Sequence, residues 1–234
     1  MQYNNLVSFN HINVLDSDDI IFYNMTFSVE KNRKMFITGH NDYQRTQIFR
    51  TILGLNEINH GTRTLFGVNI DKIGLFRLIE LRKLIGYVHP QGGLLQNITI
   101  IDNIKLPLYY SGNEKHEDIE TKTAELIDFM DLKDTINNDI RKLTNFEIKM
   151  ICLARAIIAK PRLLLIDEPT LYIELSDIEK IIDIIKKIIN LYFNNDITVI
   201  ISSDNTKWIN ESGFDKIKLS NGIIQKEIKN GELV

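Results

Sequence analysis

Apolar positions along the chain change period, and each change marks an element. In LVSFNHINVL, IIFYNMTFSVE and KMFITG, Val, Ile and Phe alternate or cluster between turn residues, which predicts short strands over residues 6–39. The period then lengthens. TQIFRTIL predicts a helix from about Thr46 to Leu53, with Gly54 where a helix C-terminus favours a left-handed residue. A polar, charged, helix-rich stretch covers roughly residues 97–160, and EKHEDIETKTAELIDFMDL is its most solvated part. RLLLID (162–167) and ITVIIS (197–202) are unbroken apolar runs, as in parallel strands covered on both faces. Between them SDIEKIIDIIKKIINLYF carries Ile178, Ile181, Ile182, Ile185, Ile188, Ile189 and Tyr192 on one helical face, with Ser176 and Glu179 spaced as a capping box. Strand, helix, strand predicts a βαβ unit in a parallel sheet, and so an α/β fold.

Composition narrows the class. With 44% hydrophobic and 25% charged residues in 234, there is apolar material for one substantial domain with an inserted subdomain. The net charge is −3 and no Lys/Arg block stands out, so no nucleic acid is expected as a partner. MQYNNLVSFNHINVL lacks a basic start followed by an apolar core, and no apolar run reaches membrane-spanning length, so a cytoplasmic protein is expected. The single cysteine, Cys152, sits in the apolar helical run KMICLARAIIAK, which makes it a small buried hydrophobe and leaves no disulfide or Cys-based metal site.

The candidate chemistry lies where strands end. FITGHNDYQRT, residues 36–46, joins a strand to a helix, the place of a phosphate-binding loop. Such a loop uses glycines to let consecutive N–H groups converge on phosphate, and a lysine to reach the outer phosphates. Gly39 is present, as is Thr46, whose hydroxyl suits magnesium; Asp42 and Gln44 take glycine positions and Arg45 takes the lysine. Asn41 and Asp42 tolerate positive φ, so the turn is expected to persist while side chains occupy its concave face. The planar fork of Arg45 is no substitute for a compact ammonium. In LLLIDEPT, Asp167 ends a buried strand with Glu168 beside it, the pairing of a magnesium-organising and a water-orienting carboxylate in nucleotide hydrolases.

ARAIIAKPRLLLIDEPT as a whole resembles the ATP-binding cassette (ABC) ATPase family, and the resemblance covers nearly the entire chain. It implies a P-loop NTPase fold of ABC type: a mostly parallel core with an antiparallel β subdomain (1–88 and 160–234) and an inserted helical subdomain (89–159). It implies Mg-ATP as cofactor, with Thr46 and Asp167 at the metal and Gly39, Asn41, Arg45 and Thr46 at the phosphates. LTNFEIKMICLARA stands where the family has its LSGGQ signature; Thr144 keeps the hydroxyl, while Asn145 and Phe146 replace both glycines. The Q-loop glutamine position is Pro90, with Gln91 one place later, and the switch histidine aligns with Asp204. Glu168 keeps the catalytic carboxylate position. LIGYVHPQGGLLQNITIIDNIKLPL resembles the Q-loop and the start of the helical subdomain, and within it GGLLQNITIIDNIKLPL most resembles ATPase subunits of bacterial lipid-trafficking systems.

Like unit charges about 5 Å apart repel by roughly 3 kcal/mol at an effective dielectric near 20, and Asp42, Asp167, Glu168 and Asp204 would all face a triphosphate. Against them stand Arg45 and a helix N-terminus worth roughly half a charge. The expectation is a non-hydrolysing subunit, peripheral on the inner face of the membrane. Residues 89–112 would dock it on a transmembrane subunit, and it would pair as a homodimer or as a heterodimer with another ABC ATPase subunit. Arg45 would then be a built-in counter-ion for Asp167, Glu168 or Asp204. The alternative is a divergent but working ATPase using Thr46, Asp167, Glu168 and Arg45.

Overall fold

The structure is a computed structural model that describes residues 4–16, 19–39, 41–112, 115–229 and 232–233; His40 of the phosphate-loop segment lies outside them. In chain order the elements are β1 (Asn5–Asp16), β2 (Asp19–Glu30), β3 (Lys34–Thr38), α1 (Asp42–Ile52), β4 (Glu57–Leu65), β5 (Val68–Asn69), α2 (Leu75–Arg82) and β6 (Ile85–Val88). They continue with α3 (Ile100–Ser111), α4 (His116–Met130), α5 (Asn145–Ile157), β7 (Leu163–Asp167), α6 (Leu175–Lys187), β8 (Thr198–Ser202), α7 (Thr206–Glu211), β9 (Asp215–Ser220), β10 (Ile223–Lys229) and β11 (Glu232–Leu233). They form two compact units: the residues up to Arg82 with those from Asp196 onward, and Lys83–Asn195.

The first unit holds two sheets. The antiparallel one runs β2-β1-β4-β5. Alternation along β2 places Phe22, Met25, Phe27 and Val29 in the core, and Phe27 meets Phe9 of β1 edge-on at 4.7 Å between ring centroids. In the second sheet β3 is central: β8 pairs with it in parallel from Lys34↔Val199 to Ile37↔Ser202, and β9 in parallel from Met35↔Asp215 to Thr38↔Lys218. MFI in β3 and VII in β8 are apolar without alternation and wholly buried, as in parallel strands covered on both faces. Trp208 of α7 and Phe214 close over Phe36 at 5.0 and 5.6 Å. A loop at the C-terminal end of such a strand is where α/β folds place their ligands.

In the second unit β6 and β7 pair in parallel from Ile85↔Leu163 to Val88↔Ile166, and β7 is buried at every position. A Cβ at Gly86 would sit on the carbonyl oxygen of Ala156, so glycine is what lets α5 lie against β6. The apolar face expected of the 176–193 helix is present, with Ile181, Ile182, Ile185, Ile188 and Ile189 buried. Its cap differs. α6 starts at Leu175 with Glu174 as N-cap and no side-chain cap bond, so Ser176 is already inside the first turn. Ser, Asp and Glu are favoured both at the cap and just after it, and spacing alone does not separate the two. A full capping box forms elsewhere, between Thr144 and Glu147 at the start of α5. Among the described residues no helix is long and apolar enough to cross a membrane.

Candidate functional site

In the first unit the candidate residues gather after β3. Gly39 has φ 143°, and a Cβ there would come within 2.5 Å of the Leu219 carbonyl oxygen on β9, so only glycine turns the chain here. α1 then begins at Asp42, four residues before the expected Thr46. The reason is local. Asn41 takes extended φ/ψ (−105°, 101°) rather than positive φ, and its side-chain oxygen accepts the Gln44 N–H at 3.0 Å. Asp42 favours the positive end of the helix, and no glycine follows to interrupt it. The positive φ that Asn41 and Asp42 tolerate is not used: Asn41 is extended and residues 42–44 are helical.

That early start places Asp42 and Arg45 three residues apart on one helix, within reach of each other. Arg45 is 1% exposed; its Nη2 donates to Asp42 Oδ1 at 2.6 Å and its Nη1 to the Gly39 carbonyl oxygen. The guanidinium is thus folded back across its own loop. Thr46 lies beside it, half-buried, on the same turn. Asp204 is exposed just beyond β8, one residue before Asn205, which caps α7 by accepting the Trp208 N–H at 3.0 Å.

In the second unit Asp167 and Glu168 are buried at the end of β7, at 0% and 3% exposure. Tyr87 of β6 donates its hydroxyl to Asp167 Oδ2 at 3.2 Å. Glu168 has φ 44°, and its carbonyl oxygen accepts from Leu171 N at 3.1 Å and from Lys149 Nζ at 3.0 Å. Lys149 is buried on α5, and its Nζ also donates to the Pro90 carbonyl oxygen at 2.6 Å. Burial pushes its ammonium down to about 8, while Cys152, Asp167 and Glu168 act in the opposite sense.

One face of α5 grips the turn that follows β6. Besides Lys149, Cys152 Sγ donates to the Gly92 carbonyl oxygen at 3.2 Å, and Arg155 donates to those of Gly92 and Gly93 at 2.9 and 2.8 Å. Burial raises the Cys152 thiol above its ordinary range, against the pull of Arg155 and Lys149. Gly92 has φ 83°, and a Cβ there would meet Ile148 at 2.5 Å. Gln91 is exposed, with its N–H donated to His89 Nδ1 at 3.1 Å. Thr144 caps α5: its hydroxyl accepts the Glu147 N–H at 3.2 Å and donates to Glu147 Oε2 at 2.9 Å. Asn145 donates to the Tyr172 carbonyl oxygen at 2.9 Å, tying the helix start to the turn after DEPT.

The structure thus brings Gly39, Asn41 and Arg45 together where β3 runs into α1, with Thr46 on the same turn as Arg45, and sets Asp167 and Glu168 beside Lys149 and Pro90. The sequence reading missed Lys149 and Tyr87. A lysine inside the apolar stretch IKMICLA is the signal that could have found the first; nothing local marks the second.

The ABC transporter sequence family matches residues 22–171. The methionine import ATP-binding protein MetN of Clostridium acetobutylicum is 30% identical over 152 residues, 65% of this chain but 47% of that protein, so the chain spans about half its length. The cell division ATP-binding protein FtsE of Escherichia coli is 26% identical over 199 residues, 85% of this chain and 87% of FtsE. Among solved structures, the dimeric post-hydrolysis state of the ATP-binding cassette MJ0796 bound to ADP and Pi matches with TM-score 0.82 at 21% identity, covering 96% of this chain and 98% of that one, a likeness of fold. Because the matched stretch runs from β2 into the turn at Leu171 and takes in the Arg45 loop, the 89–93 turn, the Thr144 helix and the Asp167 strand together, the chain belongs to the ABC transporter family.

Proposed function

We propose that this subunit has stopped hydrolysing ATP and serves as a docking partner for a transmembrane subunit, peripheral on the inner face of the membrane and paired with a second ABC ATPase subunit. The observation that carries this reading is the loop after β3. In it Arg45 donates to Gly39 and Asp42 of its own loop, Asn41 caps the Gln44 N–H, and residues 42–44 are wound into α1. A phosphate cradle needs free, convergent N–H groups; here the Gln44 N–H is bonded to the Asn41 side chain and the Arg45 N–H to the Asn41 carbonyl oxygen. Gly39 and residues 41–46 therefore do not fit a triphosphate. The start of α5 supports the same reading, because the Thr144 hydroxyl is committed to Glu147.

Docking would use residues 89–112, within which Leu95, Tyr109 and Tyr110 stand 46%, 47% and 72% exposed. The lipid reading rests on the 92–108 phrase alone; the relatives above are named for methionine import and cell division. Asp167 and Glu168 keep their place at a strand end, which is what favours the alternative of a working ATPase. Phosphate release from Mg-ATP separates the two. The wild type and Glu168→Gln should give the same background, and a wild-type rate well above that of the variant would mean hydrolysis survives.

A further inference from the structure

In the first unit the end of α1 and the helix α2 carry apolar side chains that stand in solvent. One side of α2 is anchored. Leu81 is buried, a Cβ at Gly54 would meet the Leu78 side chain at 3.3 Å, and Arg82 donates to the Leu53 and Gly54 carbonyl oxygens at 2.8 and 3.3 Å. The other side faces out. At about 100° per residue, Leu75, Phe76 and Ile79 share an arc of roughly 100°, and they are 66%, 90% and 41% exposed. Leu55, next to the Gly54 that packs on α2, is 49% exposed. A phenylalanine this exposed is the crest of a ridge, not the wall of a groove. The charge around it is positive. From residue 72 to 82 three bases, Lys72, Arg77 and Arg82, stand against one acid, Glu80, in a chain whose net charge is −3. Asp71, just before them, is paired with Arg63 at 2.7 Å.

Exposed apolar patches mark contacts with proteins or with membranes. A stable protein interface covers about 800 Å² on each side, more than one eight-residue helix and Leu55 supply. A lipid interface asks for less: a shallow apolar face beside basic residues, with headgroups that mould themselves to a convex shape. We propose that α2 with Leu55 is a contact for an anionic lipid surface. Leu75, Phe76 and Ile79 enter the headgroup region, and the exposed Lys72 and Arg77 meet the lipid phosphates. The proposal rests on the peripheral membrane location given above and adds the bilayer itself to what the chain touches there. A face this short binds weakly alone, and a docked transmembrane subunit would strengthen it by raising its effective concentration at the bilayer.

The test is sedimentation of the whole chain with vesicles of phosphatidylcholine alone and of phosphatidylcholine mixed with phosphatidylglycerol. Wild type should sediment with the mixed vesicles, less so as salt rises, and stay in solution with phosphatidylcholine. Phe76→Ser and Arg77→Glu should each lower the partition coefficient on the order of tenfold, with circular dichroism unchanged because both side chains are exposed. Phe76→Trp reports where the ridge goes. Its fluorescence should be quenched by brominated lipid in the mixed vesicles, while wild type, whose single tryptophan Trp208 is buried, should not respond. Wild type that ignores both kinds of vesicle overturns the proposal, as does Phe76→Ser that binds like wild type or Phe76→Trp that is not quenched. If wild type ignores vesicles while Phe76→Ser loses a protein that co-purifies with wild type, the ridge belongs to a protein partner and the proposal is overturned too. No transmembrane subunit or nucleotide is present, so failure here leaves the docking reading standing, and ATP hydrolysis by wild type would leave this result legible.

Discussion

Lys149 carries an electrostatic cost that can be measured. Its ammonium is pushed down to about 8 from an ordinary 10.5 by burial, with Cys152, Asp167 and Glu168 facing it. Below pH 8 both folded and unfolded chains hold the proton, and the burial penalty is present in full. Between pH 8 and 10.5 the unfolded chain holds more protons than the folded one, so stability rises with pH over that window. Relative to Lys149→Gln, wild type should gain up to about 3 kcal/mol between those limits, read from urea midpoints at each pH. A difference that stays flat with pH would mean that the ammonium is not held out of water.

At the scale of elements, two helix starts decide what the chemistry-bearing residues are free to do. Asn41 and Thr144 each give a side-chain oxygen to a first-turn N–H, at 3.0 and 3.2 Å. Asn41→Ala and Thr144→Ala should each lower stability by about 1 kcal/mol in chemical denaturation, as caps do. Loss of neither would show that these groups are spare and open to a ligand. The same two places show what a sequence can and cannot say. The buried strands at 163–167 and 198–202, the helix around Cys152 and the left-handed Gly54 follow from apolar period and turn chemistry, and all are present. The start of α1 does not follow, because a phosphate-loop frame puts the helix boundary at Thr46 while Asn41 and Asp42 satisfy the cap rules four residues earlier. The contacts of Tyr87 and Lys149 do not follow for another reason: their partners lie 80 and 59 residues away, and although a lysine in an apolar stretch marks Lys149 as buried, residue type does not name its partner.

Across the whole molecule, the cassette fold and its family are kept, and several of the candidate residues bond to their own neighbours. Arg45 donates to Gly39 and Asp42, Asn41 accepts from Gln44, Thr144 pairs with Glu147, and Lys149 donates to Pro90 and Glu168. Each of these contacts is made within one compact unit, so none depends on a bound nucleotide or on a second subunit. The most direct measurement is isothermal titration of the purified chain with Mg-ATP, with Asp167→Ala alongside. The account predicts no saturable heat for either protein; sub-millimolar binding by wild type that disappears in Asp167→Ala would contradict it.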